Sequence, residues 1–194
     1  MRKGRKSLRE TVTHVLHHLD TRLPMCHKNT LKLLWERYQL TLTQLKKAKA
    51  AKAALVKQVE PCKRLLALES VGEVGAAMLY ANIGDGKEFK NGREASACIG
   101  LTPKQHSSGG KTNMIGINKK GGNKELRAAL YQGALSVISR LPDEAQTVKQ
   151  AWLTDLVKRV GVKRACIALA NKTVRTAWAL LATGESYRPV LLNK

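Results

Sequence analysis

Two hydroxyls, two glycines and a cation stand in a row at Ser107-Ser108-Gly109-Gly110-Lys111. The chemistry that such a row suits is that of phosphate. Glycines let backbone N–H groups turn toward an anion, and the lysine adds charge beside them. Around the row, Lys104, His106, Lys119, Lys120, Lys124 and Arg127 stand against one acid, Glu125. A phosphodiester could be held there or attacked there. A serine nucleophile needs its proton removed and the charge on the phosphorus oxygens met by N–H groups and cations. Gly109, Gly110 and Lys111 supply the second need. His106 is a nearby base, but side chains this close in sequence rarely face each other, and phosphate contact or a structural part suits it better. On the residues alone a plain phosphate-binding loop is the simpler reading, and the nucleophile stays open beside it.

Carboxylate chemistry is harder to find. Metal-dependent nucleases gather several acids to hold Mg²⁺ during phosphoryl transfer. Here the aspartates are Asp20, Asp85, Asp143 and Asp155, each in a different expected element and none at D-x-D spacing. Asp85 and Glu88 lie among Lys87 and Lys90 and read as solvated or capping groups. His14, His17 and His18, with Cys26 and His27 nearby, lack an H-E-x-x-H arrangement and read as an exposed polar face. No metal ligand is assigned. Cys26, Cys62, Cys98 and Cys166 form no C-x-x-C pair and read as free thiols.

The charge of the whole chain agrees with the local reading. Lys and Arg number 35 against 14 Asp and Glu, giving +21 over 194 residues, so a polyanion, foremost nucleic acid, is the expected partner. No apolar run approaches the roughly 20 residues of a membrane span, and no signal-peptide core is visible, so the expected setting is the cytoplasm, without a membrane. Hydrophobic residues make up 43% and aromatic ones 4%, enough for an aliphatic core and too many for a disordered basic tail.

The elements that must position these residues are mainly α-helical. A basic lead, Arg2 to Lys6, enters a short helix through Leu8, Val12, Val15, Leu16 and Leu19, closed near Pro24. A long helix follows, capped by Asn29 or Thr30 and ended by Pro61. Along it Leu31, Leu34, Tyr38, Thr41, Leu45, Ala48, Lys52, Leu55 and Val59 recur at steps of three and four, a seam that either packs on its own chain or pairs chains as a coiled coil. Residues 1–61 are thus a basic helical arm, and 62–194 a second domain. In that domain, 62–82 reads as a helix-hairpin-helix-like motif. Gly72 and Gly75 would let its second helix begin abruptly with N–H groups free for a backbone phosphate. A helix over Arg93 to Gly100 leads to a glycine-rich loop, 100–124, with strand expected only in a short piece around Met114 to Ile117. Helices are expected over Leu126 to Ser139, Asp143 to Val160 and Val162 to about Thr183, punctuated by Pro142, Gly161 and Gly184.

Taken in order, Leu68-Glu-Ser-Val-Gly-Glu-Val-Gly75, Ile83-Gly-Asp85, Phe89-Lys-Asn-Gly-Arg93, Gly100 to Lys111 and Lys119 to Arg127 resemble the C-terminal transposase domain of the insertion-sequence-110 family. Asn171 to Leu181 and Tyr187-Arg-Pro189 resemble that family's final helix and tail, and the arm is similar to its coiled-coil connector, so the resemblance covers essentially the whole chain. It implies a DNA recombinase of mobile elements. In that family a RuvC-like domain with four acids and Mg²⁺ precedes the coiled coil, a serine of the C-terminal domain joins DNA covalently, and a structured bridge RNA guides the choice of sites. The family's serine stands directly before glycine, which falls on Ser108, with Ser107 as second choice. The D-E-D-D acids have no counterpart in this sequence, and Lys119 to Arg127 carries one residue more before its Leu-Arg pair than the family often has. The resemblance therefore implies DNA and guide RNA as partners and a homodimer or tetramer. It also implies dependence on an acidic, Mg²⁺-binding domain, absent here, for complete chemistry. The alternative is a non-catalytic helix-hairpin-helix DNA-binding protein.

Overall fold

The computed structural model describes residues 5–17, 23–108, 111–117 and 121–192. Among them are α1 (Arg5–His17), α2 (Met25–Gln58), α3 (Glu60–Leu66), α4 (Glu73–Ile83) and α5 (Gly92–Ile99), then strands β1 (Pro103–Ser108) and β2 (Lys111–Ile117), then α6 (Lys124–Ile138), α7 (Val148–Val160) and α8 (Val162–Thr183). The fold is mainly helical, as the sequence implies. No helix among the described residues is long and apolar enough to cross a membrane. The chain divides into two compact units, residues 1–52 and 53–194.

The first unit holds α1 and most of α2. Helix α2 begins at Met25, a turn before the expected cap, because the Pro24 carbonyl already accepts from the N–H groups of His27 and Lys28 at 3.0 and 3.2 Å. Thr30 is not a cap: from inside the helix it donates its hydroxyl to the Cys26 carbonyl at 2.9 Å. The other end is as expected. Val59 is extended, and Pro61 enters the first turn of α3, where its missing N–H leaves no gap in the ladder. Along α2 the leucines stay open, Leu33 at 67%, Leu34 at 60% and Leu40 at 59% exposure, while Trp35 and Tyr38 stack at 5.3 Å.

In the second unit α8 is the central helix. Its buried positions, Ala165, Cys166, Leu169, Ala170, Thr173, Val174, Ala177, Leu180 and Leu181, recur at three and four and form one continuous face. That face joins two apolar clusters, one with α3 to α6 and one with α6 and α7. The polar intruder Thr173 is satisfied by Ser70, hydroxyl to hydroxyl at 2.7 Å. Gly133 of α6 lies against the Ser70 carbonyl, where a methyl would overlap the backbone oxygen. The turn between α3 and α4 is thereby pressed onto α6 and α8.

Two further expectations need correction. Helix α7 begins at Val148, not Asp143, because Thr147 and Gln150 form a capping box. Thr147 before it is extended and pairs with the C-terminal tail: Val148 N–H donates to the Val190 carbonyl and Leu192 N–H to the Gln146 carbonyl. The second correction concerns 100–124, which is not simply a loop. It carries an antiparallel ribbon whose β1 had no expected counterpart and whose β2 extends the short piece expected at its end.

Candidate nucleic-acid and phosphate site

Across the ribbon Ser108 pairs with Lys111, Ser107 with Thr112, His106 with Asn113 and Lys104 with Ile115. Gly109 and Gly110 fall between the paired strands and, with Lys119 and Lys120, lie outside the described residues. Two glycines between strands are the usual linkage of a tight hairpin, because its favoured turns need positive φ. The same glycines that read as a phosphate loop therefore also read as a hairpin signal.

The root of the ribbon is built with more care than its sequence suggests. Helix α5 ends in left-handed Gly100 (φ 84°), Leu101 is buried, and the chain enters β1 at Pro103. On the return side Gly122 (φ 71°) sits so close to the Ile99 carbonyl that a side chain would overlap it. Arg127 joins the two sides. Its guanidinium, buried to 8% exposure, donates to the Ile99 carbonyl at 2.9 Å and to the Gly121 carbonyl, one residue group before β1 and one after β2. A buried guanidinium must have such acceptors. Expected among the phosphate contacts, Arg127 is placed as the tie that fixes the ribbon to the domain. Asn123 caps α6 by accepting from Leu126 N–H at 2.9 Å, and it donates to the Asn82 side chain at 3.1 Å, linking the start of α6 to the end of α4. Lys124 is exposed in the first turn of α6.

The second expected contact falls on the α3–α4 pair. Gly72 is the N-terminal boundary residue of α4, exposed, with open space around its α-carbon, and no side chain caps the helix. Gly75 is buried, one turn inside, where an added methyl would meet the Val71 side chain. The first N–H groups of α4 thus meet no side-chain acceptor, the arrangement that suits an anion, although Glu73 in the same turn tempers the charge.

Asp85 is a turn-closing, ion-paired group. It accepts from the Lys87 N–H at 3.1 Å and meets the Lys87 ammonium at 2.9 Å, which holds its carboxyl below the ordinary range. Among the described residues no three of His, Cys, Asp and Glu come together as metal donors. His14 and the adjacent Cys26 and His27 are exposed; the side chain of His17, and all of His18, lie outside the described residues. Burial pushes the Cys62 and Cys166 thiols upward, while Cys26 and Cys98 are exposed.

Sequence reasoning passed over an open groove of about 1100 Å³ on the outer face of α8. Arg164, Ala168, Asn171, Arg175 and Ala179 form one stripe of it, at spacings of four, three, four and four. That periodicity is readable in the sequence once α8 is known to bury its opposite face.

Residues 62–150 match the model of the transposase family described as IS116/IS110/IS902. The chain is 42% identical over 135 residues to the transposase for insertion sequence element IS1111A of Coxiella burnetii, covering 70% of this chain and 36% of that protein. It is 31% identical over 188 residues to a probable family 20 transposase of Pseudomonas aeruginosa, covering 97% of this chain and 55% of that one. It is 34% identical over 128 residues to the transposase for insertion sequence element IS1328 of Yersinia enterocolitica, covering 66% and 38%. The chain thus spans about a third to just over half the length of these curated relatives. The similarity to the IS116/IS110/IS902 transposase family thus runs from within α3 through α6 and includes the ribbon between α5 and α6.

Proposed function

We propose that this chain is the DNA-binding and DNA-joining part of a mobile-element transposase, with Ser108 as the nucleophile. The observation that carries the reading is the register of the ribbon: within the stretch matched to transposases, Ser108 stands opposite Lys111 on either side of Gly109-Gly110. The bond from Ser108 Oγ to phosphorus forms as one P–O bond to a deoxyribose breaks. The serine proton leaves to a base, and the departing oxygen takes one up. In this reading Lys111, Lys104, Lys119 and Lys120 offset the phosphate charge, and Gly109 and Gly110 contribute N–H donors to its oxygens. His106 makes a further phosphate contact. The N-terminus of α4, at Gly72 to Gly75, and Lys124 take further backbone phosphates without reading bases. Arg127 positions the ribbon. A structured guide RNA, and pairing of chains along α2, belong to the same reading.

The test uses labelled DNA, guide RNA and an acidic domain from a relative supplied in trans. The chain forms an adduct with DNA that survives detergent. Ser108→Ala abolishes the adduct and leaves affinity within a few-fold, since one neutral hydroxyl contributes only about 1 kcal/mol to binding. Ser107→Ala retains it. The opposite pattern moves the nucleophile by one position, and an adduct in both variants removes the serine mechanism. DNA binding with no adduct in any arm leaves a non-catalytic DNA-binding protein.

A further inference from the structure

The groove on α8 combines features that neither the ribbon nor α4 uses. Four exposed cations line it, Arg93, Arg164, Lys172 and Arg175, with no acid among its described lining residues. Two half-buried indoles, Trp152 and Trp178, line it as well. Trp178 is fixed, its Nε1–H donating to the Gly86 carbonyl at 2.9 Å. Trp152 is different: the Lys172 ammonium lies over its ring, 4.4 Å from the centroid. Leu101 and Pro103 also line the groove, and Pro103 opens β1, so the groove adjoins the root of the ribbon that carries Ser107 and Ser108.

Cations alone would fit any polyanion. Indole faces beside them are useful to one kind only, a strand whose bases are unstacked, because a duplex offers phosphates but keeps its base faces covered. A volume of about 1100 Å³ also lies at or above the roughly 300–1,000 Å³ of small-molecule pockets, which favours an extended ligand. We propose that this groove binds a single-stranded stretch of nucleic acid, one base stacking on Trp152 as Lys172 leaves the ring for a phosphate. The surface cation–π contact is weak enough to be exchanged for a charge-assisted phosphate contact and a base stack. Lys172 thus guards the indole in the free protein and joins the ligand in the complex. The site is distinct from Ser108 and does not depend on its chemistry.

The experiment follows intrinsic tryptophan fluorescence and the anisotropy of a labelled oligothymidylate of about 12 nucleotides, against a blunt duplex of the same length, with the full chain. The oligothymidylate quenches tryptophan emission. Trp152→Leu removes that quenching and weakens single-strand binding by roughly tenfold, while duplex binding changes by no more than about twofold. Because Trp152 is half-buried, the double variant Lys172→Ala/Arg175→Ala, at exposed positions, gives an independent reading. It also lowers single-strand affinity selectively, whereas Lys32→Ala/Lys47→Ala on α2 lowers both ligands together. Equal losses for single strand and duplex in Lys172→Ala/Arg175→Ala, or undiminished oligothymidylate binding by folded Trp152→Leu, overturn the proposal. Neither outcome depends on whether Ser108 forms an adduct, so the two readings fail separately.

Discussion

Gly133 lies where α6 crosses the Ser70 carbonyl, and a single added methyl there would overlap the backbone oxygen. Ser70 is also bonded to Thr173 of α8, so three elements would have to shift together. Gly133→Ala should destabilise the second unit by on the order of 3 kcal/mol, read as a lower denaturant midpoint with unchanged slope. Gly72→Ala, in open space, should cost far less. The cysteines give a second check at this scale. Thiolate is the reactive form, and burial both shields Cys62 and Cys166 and pushes their thiols upward, so Cys26 and Cys98 should be alkylated quickly at neutral pH and the other two only on unfolding. Equal rates for all four would contradict the packing of α3 and α8. The phosphate reading of Ser108 and Lys111 was legible because hydroxyl, glycine and cation are adjacent. The inward turn of Arg127 was not, because its acceptor at Ile99 lies 28 residues away and only the folded chain brings it near.

The helices of the second unit were largely legible because they bury apolar faces and Pro or Gly punctuates the chain between many of them. The ribbon was missed for the opposite reason. Lys104-Gln-His-Ser-Ser108 is polar throughout, so the alternation that marks a half-buried strand had nothing to report, and the glycine pair was read for phosphate before it was read as a turn. The start of α7 was misplaced because its extended approach is set by backbone bonds to residues 190 and 192, a partner no local pattern names. For α2, the exposed Leu33, Leu34, Leu40, Leu45 and Leu55 leave apolar surface that pairing of chains would cover. The chain should be a dimer or tetramer at tens of micromolar by light scattering. Leu45→Asp/Leu55→Asp should yield monomers with an unchanged melting transition for the second unit. A monomeric unaltered chain would show that the arm does not pair.

At the scale of the whole molecule, charge was the most legible property and the least specific one. A net +21 predicts strong binding to any nucleic acid, with log affinity falling against log salt at a slope of at least about four, since each phosphate contact adds close to one unit. A flat titration would contradict phosphate-dominated binding. What charge cannot say is where chemistry occurs; the proposal of Ser108 draws on the similarity over residues 62–150 and on the register that sets Ser108 against Lys111. Trypsin offers a direct reading of it, because cleavage after Lys104 and Lys111 releases Gln105-His-Ser-Ser-Gly-Gly-Lys111 as one short peptide holding both serines. Mass spectrometry of DNA-joined protein, after nuclease trimming, should find the nucleotide remnant on this peptide, with fragment ions placing it on Ser108. A remnant on any other peptide, or on Ser107, would contradict Ser108 as the joining residue.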